Sequence, residues 1–567
     1  MSDAEEHTEQ RTGVSAGAHP AHPPHVPVAP FAERYRNALA DPNVREGLLG
    51  FQRAWRGTRD AQMESLESIT GRSFDELRSE LSAMKDRVLA DPSHYVNQFR
   101  TRAEAAGAVV TVVRDADEAN AHIARLCRER GISLAVKGKS MVSEEIGLNA
   151  ALAAEGVDAV ETDLGEWLLQ LAGDHPSHLV MPAIHKRRGQ VAELLTRVLG
   201  EPFEADDIPA MVASVRTALR AQFLTAGLGL TGANALVAET GTVMLVTNEG
   251  NGRMTSSLPP LHVVTVGAEK IVPTMADAIR QVRLLPRSAT AQPITTYTTF
   301  ISGPTPGHEL HIVLIDNGRS AMADDAGVAS ALRCIRCGAC ANVCPAYQVV
   351  GGHAFGHIYT GPIGLITTAY HHGLDAAEGP QSLCVSCGAC ATVCPVDIPL
   401  PAQILDVRRQ VFEAAPGRGG RVRRAVQRAV WRAFASRRLV EAGNRALALV
   451  SAPLRRGRFT RVPTFLSRRH LAWRTPPAVP SRPAHALDAL HTPRAALAPT
   501  EASGRRVMLF LQCVADRLAP EVPVAAAALL RAAGVEVVVP PDQHCCGLPA
   551  FDAGDHDNAR RMARDTL

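Results

Sequence analysis

The sequence predicts an α/β chain that carries an added helical module and a smaller α/β element near its end. Three observations predict it. From about Ala105 to Ile315, short apolar runs alternate with amphipathic stretches, the texture of a mainly parallel sheet with helices between its strands. Ahead of this, from about Phe31 to Gln98, Leu48, Leu49 and Trp55 and then Leu77, Leu81 and Met84 recur at helical spacing. After it, two near-identical cysteine runs fifty residues apart break the alternation.

In chain order, residues 1–30 are acidic and then rich in His and Pro, and read as a disordered leader. They contain no apolar segment of the kind a secretory signal needs. Residues 31–104 are expected to be helical. Residues 105–318 form the α/β domain, with strands expected at Ala108–Val113, Ser133–Val136, Val157–Val160, Leu179–Met181, Leu236–Val246, His262–Val266 and His311–Leu314. Helices are expected at Asp115–Arg130, Ser143–Ala154 and Arg188–Leu199. The cysteine module covers 319–410, a basic helical region 411–475, and a Pro/Ala-rich linker 476–503. In 504–567, strand Val507–Leu511, helix Val522–Ala533 and strand Val535–Val539 open a last α/β element.

Composition narrows the class. Hydrophobic residues make up 46% of the 567, and no apolar run of membrane-spanning length occurs, so a cytoplasmic protein is expected. Twelve cysteines, mostly clustered, fit metal-bound thiolates in a reducing compartment better than a disulfide framework. Between Arg418 and Arg474 sixteen arginines face one acid, Glu441; with +3 overall, the rest of the chain carries −12. Val430, Phe434, Val440, Leu447 and Leu449 interleave with the arginines. This reads as amphipathic helices that contact a partner subunit or an anionic membrane from outside, or as a solvated basic face. No nucleic-acid recognition motif accompanies the charge.

The cysteine runs fix the chemistry. Cys334-Ile-Arg-Cys337-Gly-Ala-Cys340-Ala-Asn-Val-Cys344-Pro345 and Cys384-Val-Ser-Cys387-Gly-Ala-Cys390-Ala-Thr-Val-Cys394-Pro395 both read C-x2-C-x2-C-x3-C-P. That is the spacing of bacterial two-cluster ferredoxins, in which the fourth cysteine of each run ligates the other cluster. Two [4Fe–4S] clusters are therefore expected. Cys334, Cys337, Cys340 and Cys394 would hold one, and Cys384, Cys387, Cys390 and Cys344 the other. Structural zinc, which usually uses two separated C-x2-C pairs, fits less well.

Two other motifs fail on context. Gly138-Lys139-Ser140 has the end of a P-loop, but Ser133 stands where its first glycine belongs. Gly227 to Gly232 satisfies G-x-G-x-x-G, but a helical pattern over Val212–Leu224 precedes it where a dinucleotide site needs a strand. Lys137, Lys139 and Ser140, where a strand gives way to a helix, can form an anion site with free N–H groups and two ammoniums. His185 and Lys186, with turn residues Asn234, Glu239 and Thr240, can complete a small polar pocket. Taken singly, the same residues read as caps and turn formers.

The stretches Val136-Lys137-Gly138-Lys139-Ser140 to Asn149, His175-Pro176-Ser177-His178 to Lys186, and Gly229 to Thr242 resemble the signatures of the lactate-utilisation (LUD) domain. Followed by the two cysteine runs, their order is similar to the LutB/LldF type of L-lactate-utilisation iron–sulfur protein. The resemblance implies a Rossmann-like LUD fold related to isomerase and CoA-transferase domains. It also implies a component of an NAD-independent L-lactate dehydrogenase complex, oxidising lactate to pyruvate. LutA-like and LutC-like subunits, lactate or a similar 2-hydroxy acid, and an unidentified electron acceptor would be its partners. The alternative reading is a non-catalytic electron relay for a flavoprotein acting on glycolate or another 2-hydroxy acid. Near the C-terminus, Cys513 and the pair Cys545-Cys546-Gly547 resemble the first part of a CCG domain of the LutA type. The C-x-x-C expected later in that domain does not follow, so a truncated domain with an incomplete third cluster is expected.

Overall fold

The computed structural model describes residues 28–415, 417–457, 459–460, 477–480, 482–491, 504–540, 543 and 545–566. The expected leader lies almost wholly outside the described residues, as does much of the expected linker. The chain divides into two compact units, one ending at Val411 and one starting at Phe412.

The first unit opens with four helices, Phe31–Ala40, Pro42–Thr70, Phe74–Ala90 and Pro92–Ala105. Local chemistry sets their ends. Asp41 accepts from the Asn43 amide ahead of the 29-residue second helix, and Pro42 needs no partner at its first position. Ser73 and Glu76 form a reciprocal capping box at the start of the third. Their apolar stripe, Leu48, Trp55, Met63, Leu66, Leu81 and Met84, is buried in the core cluster that also holds the cysteine module.

The α/β domain contains a six-stranded, all-parallel sheet of β1 (Val109–Val113), β2 (Leu134–Lys137), β3 (Asp158–Glu161), β4 (Leu228–Thr231), β7 (Leu261–Val266) and β10 (Glu309–Ile315). The strand order is β1-β10-β7-β4-β2-β3. A second sheet, of mixed direction, joins β5 (Ala235–Val237), β6 (Thr242–Thr247), β8 (Ile271–Val272) and β9 (Tyr297–Ile301) in the order β8-β5-β6-β9. Apolar side chains cover both faces of the parallel sheet, as parallel sheets require.

Most expected elements are present, with informative differences. The run Leu236–Val246 is an antiparallel pair, β5 and β6. Ser143–Ala154 is two helices, Met141–Glu145 and Leu148–Ala154, because the chain turns at Ile146 and Gly147. Leu179–Met181 is not a strand. The amides of Val180 and Met181 donate to His178 Nδ1 at 3.1 and 3.0 Å, so a side chain takes the donors that a neighbouring strand would use.

Strand β4 explains the false G-x-G-x-x-G motif. A Cβ on Gly229 would stand 1.9 Å from the Thr255 carbonyl oxygen, and one on Gly227 would be 3.0 Å from Ile132. These glycines permit close packing of a central strand and erase its apolar pattern from the sequence.

The cysteine module follows as short helical turns around helix Gly361–His371, which is buried along its whole length. In the second unit, helices Gly417–Phe434 and Arg437–Ser451 precede a parallel pair of strands, Arg506–Met508 and Glu536–Val538, with helix Glu521–Ala532 between them. Among the described residues, no helix is long and apolar enough to cross a membrane.

Candidate iron–sulfur centre and the adjoining cleft

The two cysteine runs fold alike. In each, the third residue has a left-handed backbone, Arg336 at φ 59° and Ser386 at φ 53°. A glycine at φ 75° or 80°, Gly338 or Gly388, follows the second cysteine and starts a short helix. This winding turns amides inward: Arg336 N–H donates to Cys334 Sγ and Ser386 N–H to Cys384 Sγ, both at 3.4 Å. The Ile398 amide does the same for Cys394 Sγ at 3.4 Å.

Cys344, Cys384, Cys387 and Cys390 line one cavity, although Cys344 belongs to the other run. Burial pushes the Cys344 thiol up to about 11, and the proximity of Cys384 and Cys387 adds to this. The converse holds for Cys394, pushed up to about 11 by burial, with Cys334 beside it. Burial also raises Cys337, with Cys334 and Cys394 as neighbours. Cys340 feels both its own run and Cys390, which sets the two groups of sulfurs side by side. Eight thiols in two adjoining groups, most of them buried and several facing backbone amides, fit the needs of two cubane clusters.

The N-terminal helices clamp this module. Gln52 Nε2 donates to the Ala341 carbonyl at 3.0 Å, and Arg78 Nη1 to the Ala391 carbonyl at 3.2 Å, one contact on each cysteine loop. Arg333 forms a two-point pair with Asp86 at 2.6 and 2.8 Å.

A buried ionic group, which spacing alone did not reveal, joins the module to the α/β domain at the carboxyl ends of β7 and β10. Arg319 binds both oxygens of Glu145, at 2.8 and 2.7 Å, and Glu269 Oε2 at 2.7 Å. Tyr359 OH donates to Glu145 at 2.6 Å, and the Arg336 guanidinium lies 4.0 Å from the Tyr359 ring centre. Burial opposes charge on Glu269, yet Arg319, Arg336 and Lys270 hold its pKa at about 2.

The residues expected to form an anion pocket are engaged elsewhere. Lys137 is fully buried against Glu144 and Glu161. Burial lowers its pKa, but Glu161, Glu144 and Glu166 together hold it above the ordinary lysine range. Lys139 donates to the Val180 carbonyl at 2.7 Å, and Ser140 caps the next helix while its hydroxyl meets Thr265 at 3.1 Å. Lys186 pairs with Asp174. Asn234 accepts from the Val246 amide, Glu239 from the Met275 amide, and Thr240 donates to Thr242, all within or beside the second sheet.

A wide cleft does open beside β2 and β3, but its wall is acidic and histidine-rich, with Glu144, Glu161, Glu166, Asp174, His175 and His353. Asn234, Glu239 and Thr240 do not line it. In the second unit, Cys545 acts on Cys513 through a direct sulfur contact and lowers its pKa to about 6, while Cys545 itself is raised.

Residues 96–317 match the LUD domain, residues 330–398 the 4Fe-4S dicluster domain, and residues 507–567 the cysteine-rich CCG domain. The fold and the cysteine geometry define an iron–sulfur protein built on a LUD domain, with two [4Fe–4S] clusters as its cofactors. The chain is 39% identical over 407 residues to the uncharacterized electron transport protein YkgF of Escherichia coli, spanning 70% of this chain and 83% of that one. It is 39% identical over 390 residues to lactate utilization protein B of Oceanobacillus iheyensis, spanning 68% and 80%. Against lactate utilization protein B of Geobacillus thermodenitrificans the identity is 36% over 442 residues, spanning 76% and 91%. The chain belongs to the lactate utilization protein B family. Among solved structures, a DUF162 family protein from Deinococcus radiodurans aligns over 39% of this chain at 19% identity, with a TM-score of 0.23.

Proposed function

We propose that this chain carries electrons from the oxidation of L-lactate, as the iron–sulfur component of a lactate-utilisation complex with LutA-like and LutC-like subunits. The cavity shared by Cys344, Cys384, Cys387 and Cys390 is the observation that carries the relay. The family supplies the link to lactate. When bound, each cluster takes up and gives back one electron. The protein's part is to supply the thiolates, to aim amides at the sulfurs, and to keep water away. Cys334, Cys337, Cys340 and Cys394 are assigned to one cluster, and Cys384, Cys387, Cys390 and Cys344 to the other. Crossed ligation of this kind keeps the two close. The acidic cleft does not favour a 2-hydroxy acid carboxylate, which supports substrate oxidation on a partner subunit. Peripheral contact of a cytoplasmic protein with an anionic membrane is supported by the exposed stripe Val422, Val426, Val430 and Phe434 on an arginine-rich helix.

The test is anaerobic purification with iron and sulfide analysis, then lactate addition under electron paramagnetic resonance, with and without the partner subunits. About eight irons per chain are expected, with reduction by lactate only when the partners are present. Colourless or zinc-loaded material would overturn the relay. Full iron with no lactate-dependent reduction in the reconstituted complex would overturn the assignment to lactate.

A further inference from the structure

Asp174, His185 and His353 bring three ligand-type side chains to one point on the wall of the cleft, with their donor atoms within 4.8 Å of one another. Two parts of the chain meet there. Asp174 and His185 frame the loop between helices Leu164–Ala172 and Arg188–Leu199, and His353 starts a single turn beyond the first cysteine run. The two imidazole rings are 4.7 Å apart and nearly perpendicular. His185 is buried, whereas Asp174 and His353 reach the cleft.

The hydrogen bonds around His185 orient it as a ligand. Ser177 Oγ lies 2.7 Å from His185 Nδ1 and 3.3 Å from the Pro182 carbonyl, so the hydroxyl can accept from Nδ1–H while donating to the carbonyl, or donate to Nδ1. His185 Nε2 faces Asp174 Oδ2 at 3.0 Å, a hydrogen bond when Nε2 carries the proton and a gap for a cation when Nδ1 carries it. Lys186 Nζ also reaches Oδ2, while Asp174 Oδ1 accepts from the His175 amide at 2.8 Å and lies 3.9 Å from His353 Nε2. His353 Nε2 is 2.7 Å from the His175 carbonyl, one hydrogen bond that a cation would replace.

We propose that Asp174, His185 and His353 bind one divalent first-row transition cation, with the remaining coordination positions open to the cleft. Two imidazoles and one carboxylate suit zinc and its neighbours, not magnesium or calcium, which prefer all-oxygen sets. Ser177 is a positioning residue that holds the His185 ring through Nδ1 and leaves Nε2 turned to Asp174. The site is separate from the cysteine sulfurs and does not depend on the role in lactate oxidation.

Zinc titrated calorimetrically into the anaerobic, cluster-loaded chain tests this, with His353→Ala and Asp174→Asn measured alongside. Zinc taken up by thiols is common to all three proteins and cancels in the difference. The unmodified chain should bind about one equivalent more than either variant, with the visible absorption of the clusters unchanged in all. Ser177→Ala should weaken that one equivalent by about 10- to 100-fold. Equal stoichiometry and affinity in the unmodified chain and in the variant that keeps its clusters would overturn the proposal.

Discussion

His178 and Asn342, 164 positions apart, meet in a buried hydrogen bond, His178 Nε2–H to Asn342 Oδ1 at 2.7 Å. It joins the loop after helix Leu164–Ala172 to the first cysteine loop. His178 Nδ1 accepts two amides, and burial pulls the ring down to about 4, so it is neutral here. Asn342→Ala leaves a buried N–H without its acceptor and should cost about 1–3 kcal/mol. Denaturant unfolding followed by loss of cluster absorption would show it as a lower midpoint.

The crossed assignment gives a pairwise signature. Cys344→Ser should give the same paramagnetic resonance change as Cys384→Ser, and Cys394→Ser the same as Cys334→Ser, each falling from about eight irons toward about four. If Cys344→Ser matches Cys334→Ser, the crossing is wrong.

Arg319 sits between two buried carboxylates and is 4% exposed. Arg319→Met keeps much of the volume and removes the charge, leaving Glu145 and Glu269 without their principal partner. A loss of about 3–5 kcal/mol is expected, read from denaturant midpoints. The double change Glu145→Gln with Arg319→Met should recover part of it.

Glu166 gives a pH dependence. Burial pushes its carboxyl up to about 8, with Glu161 and Asp163 adding to the rise and Lys139 and Lys137 opposing it. In the unfolded chain it titrates near 4.5, the ordinary value for a glutamate. Between these values the folded chain holds a proton that the unfolded chain has released, so stability falls as pH rises and levels off above about 8. Glu166→Gln removes this titration. Its stability relative to the unmodified chain should rise from pH about 6 to about 8, by up to about 1.4 kcal/mol per unit. A pH-independent difference would contradict the raised pKa.

The cysteine chemistry was legible because iron–sulfur ligation imposes a fixed spacing on a short stretch of chain. The strands at Val109, Leu134 and Leu261 were legible because each is a short apolar run between turn residues. Strand β4 was not, since Gly227, Gly229 and Gly232 serve a close approach and imitate a nucleotide motif. The anion pocket was inferred from two lysines at a strand end, but sequence could not show that Glu144 and Glu161, seven and twenty-four positions beyond Lys137, would neutralise one of them. The Glu145–Arg319–Glu269 group and the Asp174–His185–His353 cluster were invisible for the same reason: their members converge only through tertiary packing.

The contacts of Gln52 with Ala341 and of Arg78 with Ala391 have a consequence for biogenesis. Helices Pro42–Thr70 and Phe74–Ala90 cannot make these contacts until a stretch some three hundred residues downstream has left the ribosome and folded. Iron-starved cells should therefore accumulate a form whose first hundred residues are cut early by proteases, and supplying iron and sulfide should protect the amino-terminal helices together with the distant loops they grip.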